Sequence, residues 1–120
     1  MRPNPVKKTL REGGTSFGTF LFEFSSTGAA TVAANSGAEF VIFDMEHTGW
    51  SVETIRVLLA ATRSANTIPC VRVPKSEYHF IARVLDMGAM GIMVPMVESP
   101  EEAEHIVSCT RYPPQGGKRG

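Results

Sequence analysis

The sequence predicts an α/β fold built on a parallel sheet, and three observations carry that expectation. Four short apolar runs alternate with four stretches of helical period at intervals of roughly 25 residues, the pattern of consecutive βα units. The run Phe40-Val41-Ile42-Phe43, between Gly37 and Gly49, is apolar at every position, as a strand covered on both faces must be. There is also an internal echo: Gly37-Ala38 with the apolar run to Met45 can be laid over Gly88-Ala89 with the run to Met96. Repeated βα units without a glycine-rich phosphate loop favour a (β/α)₈ TIM-type barrel over a doubly wound open sheet. A complete barrel takes about 250 residues, so the expectation is its first four βα units, the amino-terminal half or a fragment. Residues 1–120 then form a single partial barrel domain, with 1–14 a surface lead-in and 111–120 a loop tail.

Each element has a local reason. Met1 to Gly14 is polar and carries Pro3, Pro5 and Gly13-Gly14, with room for a short helix through Val6–Leu10. Phe17 to Phe24 is rich in phenylalanine, as a first strand would be. Ser25, Ser26 and Thr27 can cap a helix over Ala29–Asn35, because short hydroxyl side chains accept from the free amides of a first turn. Gly37 stops that helix. After the strand Phe40–Phe43, Ser51 caps a helix running to about Ser64 whose buried face is Val52, Ile55, Leu58 and Leu59, with Glu53 complementing the helix dipole.

Ile68 to Val73 reads as the third strand, with Pro69 at its start where a missing amide is tolerated. Ser76 is the expected cap of a third helix with Phe80, Ile81, Val84 and Leu85 inward and Gly88 at its end. Gly91 to Val94 is the fourth strand. Ser99-Pro100-Glu101-Glu102 is the clearest local signature: a hydroxyl cap, proline at the first helical position, and a glutamate three residues after the cap. The helix that follows, to about Thr110, is expected to bury Ala103, Ile106 and Val107.

Composition narrows the function. The chain has 120 residues, 42% apolar and 20% charged, ordinary for a globular domain. Twelve basic and twelve acidic residues cancel, so no net field recruits nucleic acid or an anionic membrane. A small-molecule partner fits better. No apolar run approaches the roughly 20 residues of a membrane span, and Met1 to Glu12 has charges but no apolar core, so neither a membrane anchor nor a signal peptide is expected and the cytoplasm is the expected location. Cys70 and Cys109 have no CxxC partner, and no histidine is counted at metal spacing from either, so both read as free thiols.

Chemistry gathers where the second strand ends, at Asp44, Glu46 and His47. If the second and third strands are adjacent and parallel, these residues lie near Arg72. The carboxyl ends of parallel strands are where loops free to vary hold ligands. A carboxylate beside an imidazole fixes its tautomer and favours its taking a proton, so His47 is the candidate general base. The Arg72 guanidinium can hold a carboxylate and stabilise negative charge on an adjacent oxygen. Together they suggest proton transfer on an anionic, carbonyl-bearing small molecule. By contrast, His79 and His105 read as structural, Glu98, Glu101, Glu102 and Glu104 as a solvated helix start, and the methionines of Met87–Met96 as core packing.

Four strings now carry a resemblance: Phe43-Asp44-Met45-Glu46-His47; Pro69-Cys70-Val71-Arg72-Val73-Pro74; Leu85-Asp86-Met87-Gly88-Ala89-Met90-Gly91-Ile92-Met93-Val94-Pro95; and Thr110-Arg111-Tyr112-Pro113-Pro114. In this order they closely resemble the HpcH/HpaI family of class II, metal-dependent pyruvate aldolases, from about Gly18 onward. The resemblance implies a (β/α)₈ barrel that reversibly cleaves 4-hydroxy-2-oxo acids into pyruvate and an aldehyde. By position it makes His47 the catalytic base and Arg72 the residue that binds substrate and steadies the pyruvate enolate. Asp44 and Glu46 become the acids that orient the histidine or bind the metal's water ligands.

It also implies that Asp86 raises the basicity of the histidine. Asp86 sits at a helix end on the wrong face of its own barrel, so this role implies a contribution across a subunit interface of a homo-oligomer. The family's divalent metal (Mg²⁺, Mn²⁺ or Co²⁺) is held by carboxylates on the fifth and sixth strands, so no metal ligand is expected in this chain. Two alternatives stand beside the aldolase. One is a non-catalytic half-barrel that assembles through its unpaired first and fourth strands. The other is a related phosphoenolpyruvate or acyl-CoA lyase such as a citrate lyase subunit, although no basic patch for a CoA phosphate is visible in the sequence.

Overall fold

A computed structural model describes residues 2–120. The chain opens with helix α1 (Pro5–Arg11) and then alternates: β1 (Gly18–Leu21), α2 (Ala29–Asn35), β2 (Phe40–Asp44), α3 (Val52–Ala61) extended by a 3₁₀ turn at Thr62–Ser64, and β3 (Ile68–Arg72). It ends with α4 (Tyr78–Asp86), β4 (Gly91–Met93), α5 (Pro100–Thr110) and a 3₁₀ turn at Pro113–Gln115. The four strands form one sheet in the order β1-β2-β3-β4, all parallel, with Phe40 opposite Ile68 and Asp44 opposite Arg72. This is an α/β fold with four consecutive βα units, as the spacing predicts.

Helices α2 to α5 cover one face of the sheet. Val41 and Phe43 of β2, with Val71 of β3 and Val73 just beyond it, are fully buried and share a core with Ile55 and Leu58 of α3 and Ile81 and Val84 of α4. Side chains alternate across a strand, so Ile42, Asp44, Cys70 and Arg72 stand on the opposite face. The glycine echo has a physical basis. Gly37 and Gly88 both adopt positive φ, at 95° and 112°. In each case the glycine N–H bonds the carbonyl three residues back and the following alanine N–H the carbonyl five back: Gly37 to Ala34 and Ala38 to Ala33, Gly88 to Leu85 and Ala89 to Val84. Both helices therefore close with the same Schellman turn before the chain enters its strand.

Several local expectations are corrected. β1 stops at Leu21 instead of continuing to Phe24, because its pairing with β2 ends at Leu21 opposite Phe43. The hydroxyls before α2 do not cap it; Gly28 holds that position, and Ser26 accepts from the Gly28 amide instead. Helix α4 starts after Glu77, not Ser76, and has no side-chain cap. Ser51 and Ser99 cap as expected, accepting from the amides of Thr54 and Glu102. In α5 only Cys109 is fully buried, while Ala103 and Val107 are exposed, since α5 packs chiefly against α4.

The methionines are not all core. Met87 packs against it, but Met93 points to the face without helices and Met96, at φ 53°, is 78% exposed beyond the end of β4. The tail is more ordered than a loop, because Lys118 and Arg119 donate backbone bonds to Ser108 and Arg111. No helix among the described residues is long and apolar enough to cross a membrane.

Candidate active site

Asp44 organises the carboxyl end of the sheet. As the last residue of β2 it is fully buried, and its carboxylate receives three donors: the Arg72 Nε at 2.5 Å, the His47 amide at 2.9 Å and the Glu46 amide at 3.2 Å. The backbone bonds fold the chain sharply back after the strand, as an aspartate side chain does when it captures amides two and three residues on. The turn is closed from the other side by the Thr48 hydroxyl, which donates to the Asp44 carbonyl at 2.6 Å and accepts from the Trp50 amide at 3.3 Å. Burial by itself pushes the Asp44 carboxyl up, but the Arg72 guanidinium and the two amides outweigh it and hold the group below its ordinary value.

Arg72 is fixed from three sides. Its Nε is held by Asp44 and its Nη1 lies 3.1 Å from Glu46 Oε2, and the hydrogen bond to Asp44, with the negative charges of Asp44 and Glu46, keeps the guanidinium above its ordinary value. One flat face is covered by the stacked rings of Phe20 and Phe22, whose centroids lie 5.1 and 5.8 Å from Cζ. Nη2 has no partner among the described residues. The two acids therefore aim the remaining edge of the fork, a geometry suited to a carboxylate or an enolate oxygen.

His47 stands at the rim. Its side chain is 68% exposed, and its Nε2 lies 3.5 Å from the same Glu46 Oε2 that holds Arg72. Glu46 thus links the cation to the imidazole. The expectation that Asp44 and Glu46 both flank the ring divides: Glu46 lies by the imidazole, whereas Asp44 meets His47 only through its backbone amide.

Asp86 is elsewhere in this chain. It ends α4, just before the chain enters β4 from the opposite end of the sheet, and it is bound by Arg119 at 2.6 and 2.9 Å. The phenylalanine pair was not singled out from the sequence as part of the site. Its signal was there: two aromatics two residues apart share a face, where the first strand ends beside the polar cluster.

The donor set at this end does not fit a resident cation. Both Asp44 oxygens and Glu46 Oε2 are engaged by protein donors, and no group of three His, Cys, Asp or Glu side chains converges among the described residues. Elsewhere, the cysteines are both free, and one reading of them is corrected: His105 lies one helical turn before Cys109, with its Nε2 3.5 Å from the sulfur.

Comparison with known proteins gives a consistent result. The model of the family described as HpcH/HpaI aldolase/citrate lyase matches residues 17–120. A hydroxypyruvate/pyruvate aldolase of Roseobacter denitrificans is 39% identical over 117 residues, covering 98% of this chain and 45% of that protein. The crystal structure of an HpcH/HpaI aldolase from Desulfitobacterium hafniense superposes with a TM-score of 0.88 at 32% identity, covering 96% of this chain and 44% of the other. That of the citrate synthase SbnG gives 0.86 at 41%, covering 96% and 46%. The chain spans less than half the length of each.

Proposed function

Because the chain belongs to the HpcH/HpaI aldolase/citrate lyase family, we propose that it is the half of a carbon–carbon lyase that binds and deprotonates a 2-oxo acid substrate. The observation that carries this reading is the aimed guanidinium of Arg72, with Nε and Nη1 held by acids, Nη2 open, and His47 one carboxylate away. In the cleavage direction His47 takes the proton from the 4-hydroxyl of a 4-hydroxy-2-oxo acid. The C4–O bond becomes a carbonyl as the C3–C4 bond breaks, and its electron pair passes into the enolate of pyruvate. Arg72 faces the negative charge that gathers on the substrate's carboxylate and C2 oxygen. Return of a proton to C3 gives pyruvate.

The resemblance calls for a divalent cation, Mg²⁺, Mn²⁺ or Co²⁺, in the complete barrel. The same resemblance puts its ligands on the fifth and sixth strands of such a barrel, outside these four βα units, and no step above depends on it. In a homo-oligomer of complete barrels, Asp86 would reach a histidine of a neighbouring subunit rather than its own. We expect the isolated 120-residue chain to bind pyruvate at Arg72 without turning it over.

The test has two parts. Pyruvate titrated into the ¹⁵N-labelled chain should shift the amides of residues 45–48, and Arg72→Gln should abolish the shifts; shifts that survive Arg72→Gln refute the site. A retro-aldol assay with a 4-hydroxy-2-oxo acid and Mn²⁺ should show no pyruvate release. Release that is lost on His47→Ala would refute the need for a second half.

The likeness to a citrate synthase supports a second reading of the same carbon–carbon chemistry, with an acyl-CoA thioester as the partner of the oxo acid. Competition between acetyl-CoA and pyruvate for the 45–48 shifts separates the two substrate classes.

A further inference from the structure

At the opposite end of the sheet from Arg72 the structure assembles a cleft that the sequence does not reveal. It encloses about 1000 Å³ between α1, the approaches to β3 and β4, and the carboxyl-terminal segment. Among the described residues, six basic side chains line it (Arg2, Lys7, Lys8, Arg11, Arg63 and Arg119), against a single acid, Glu12. In a chain whose charges cancel overall, this is a local concentration of one sign. The expectation of no basic patch is therefore corrected: the cations lie in three segments far apart in sequence and meet only on folding.

Some of these charges have structural partners. Arg2 donates to the carbonyls of Thr62, Ala65 and Thr67 at 3.0 to 3.2 Å, Lys8 lies 4.0 Å from Glu12, and Arg119 holds Asp86. Lys7, Arg11 and Arg63 have no acidic side chain within 4.0 Å among the described residues. The dipole of α1 accounts for Lys8 and Arg11 in its last turn. It does not account for Arg63, which approaches from the 3₁₀ turn before β3. One wall is apolar, with Leu59, Leu85 and Tyr112, and the Arg119 guanidinium lies 4.8 Å over the Tyr112 ring.

We propose that this cleft binds an anion carrying several phosphate charges, separately from the Arg72 site. Concave walls with cations on two sides raise the local potential and suit a compact oligophosphate, which the guanidinium groups of Arg11 and Arg63 can grip in forked fashion. The phosphate run could be inorganic, or belong to a nucleotide or to coenzyme A, whose ring would find the Tyr112 wall.

Isothermal titration of the 120-residue chain with sodium triphosphate, ATP and coenzyme A at low salt tests this. Saturable one-to-one binding of triphosphate is expected, weakened at least about tenfold by Arg11→Gln with Arg63→Gln and by about 0.3 M NaCl. Lys75→Gln, a cation outside the cleft, should leave it unchanged. Equal affinity for the three ligands assigns recognition to the phosphates alone; tighter ATP or coenzyme A adds the aromatic wall. Absence of saturable binding, or an equal loss on Lys75→Gln, overturns the proposal. Unchanged far-UV circular dichroism of the double variant keeps a loss from being read as unfolding, and the single Arg63→Gln variant gives a second reading.

Discussion

Replacing Arg72 with alanine isolates the interaction on which the site is built. The Asp44 carboxylate, fully buried, would keep the His47 and Glu46 amides but lose the one cation that meets it among the described residues. Removing one partner of a buried pair costs about 3–5 kcal/mol. The Arg72 side chain is 17% exposed, so water can reach part of the vacated space, and the lower end, about 3 kcal/mol, is the expected loss. For a domain of this size that corresponds to a fall in Tm of about 9–18 °C.

The pH dependence gives the sharper check. In the native chain Asp44 is held below its ordinary value. Its contribution is therefore complete above the unfolded carboxylate value of about 3.9 and is lost as pH falls through the lower folded value. In Arg72→Ala the strongest force depressing the carboxyl is gone and only the His47 and Glu46 amides are left to oppose burial, which favours the neutral acid, so the deficit should shrink as pH falls from 7 toward 3. Urea unfolding of both proteins at several pH values measures this. A loss below about 0.5 kcal/mol at pH 7, the level of an exposed pair, would refute the reasoning, as would a deficit independent of pH. Asp44→Asn in the Arg72→Ala background should recover part of the loss, since the uncompensated charge is then removed.

Two further outcomes concern the face of the sheet opposite the helices. A Cβ added at Gly91 would stand 2.8 Å from the Cys70 sulfur, so Gly91→Ala should cost about 1–3 kcal/mol by overpacking, and Cys70→Ala should restore most of it; additive losses would mean the two positions do not touch. Burial pushes the Cys70 thiol up to about 11, so iodoacetamide at pH 8 should leave it unmodified in the native chain and label it once urea unfolds the protein, which mass spectrometry reads directly.

The order and kind of the elements were legible because each rests on local pattern. Ile55, Leu58 and Leu59 fall on one face at helical spacing, and Phe40 to Phe43 is apolar throughout. Strand length was less legible, since it depends on the neighbour: nothing within Phe17–Phe24 says that β2 supplies partners only as far as Phe43. The same holds for α5, whose apolar residues announce a buried face that α4 alone only partly covers.

In the site, the nearness of Asp44 to Arg72 followed from assuming adjacent parallel strands, and the register places them opposite one another. The division of labour between the two acids did not follow. It depends on which way the chain turns after Asp44, set by the hydrogen bonds to the Glu46 and His47 amides. The basic cleft was invisible because Lys7, Arg63 and Arg119 share no window of sequence.

The strand order β1-β2-β3-β4 repeats the order of the chain itself. Every pairing is thus closed by a single intervening βα segment, and the entropy of loop closure, which grows only with the logarithm of loop length, is small and similar for all three. None of these three pairings has to wait for a distant segment. During synthesis β1, β2 and β3 can associate before β4 has left the ribosome, so that the Asp44–Arg72 contact forms in the nascent chain as soon as β3 is free. Folding that proceeds in the direction of translation would make β4, the shortest of these four strands, the last of the four to dock.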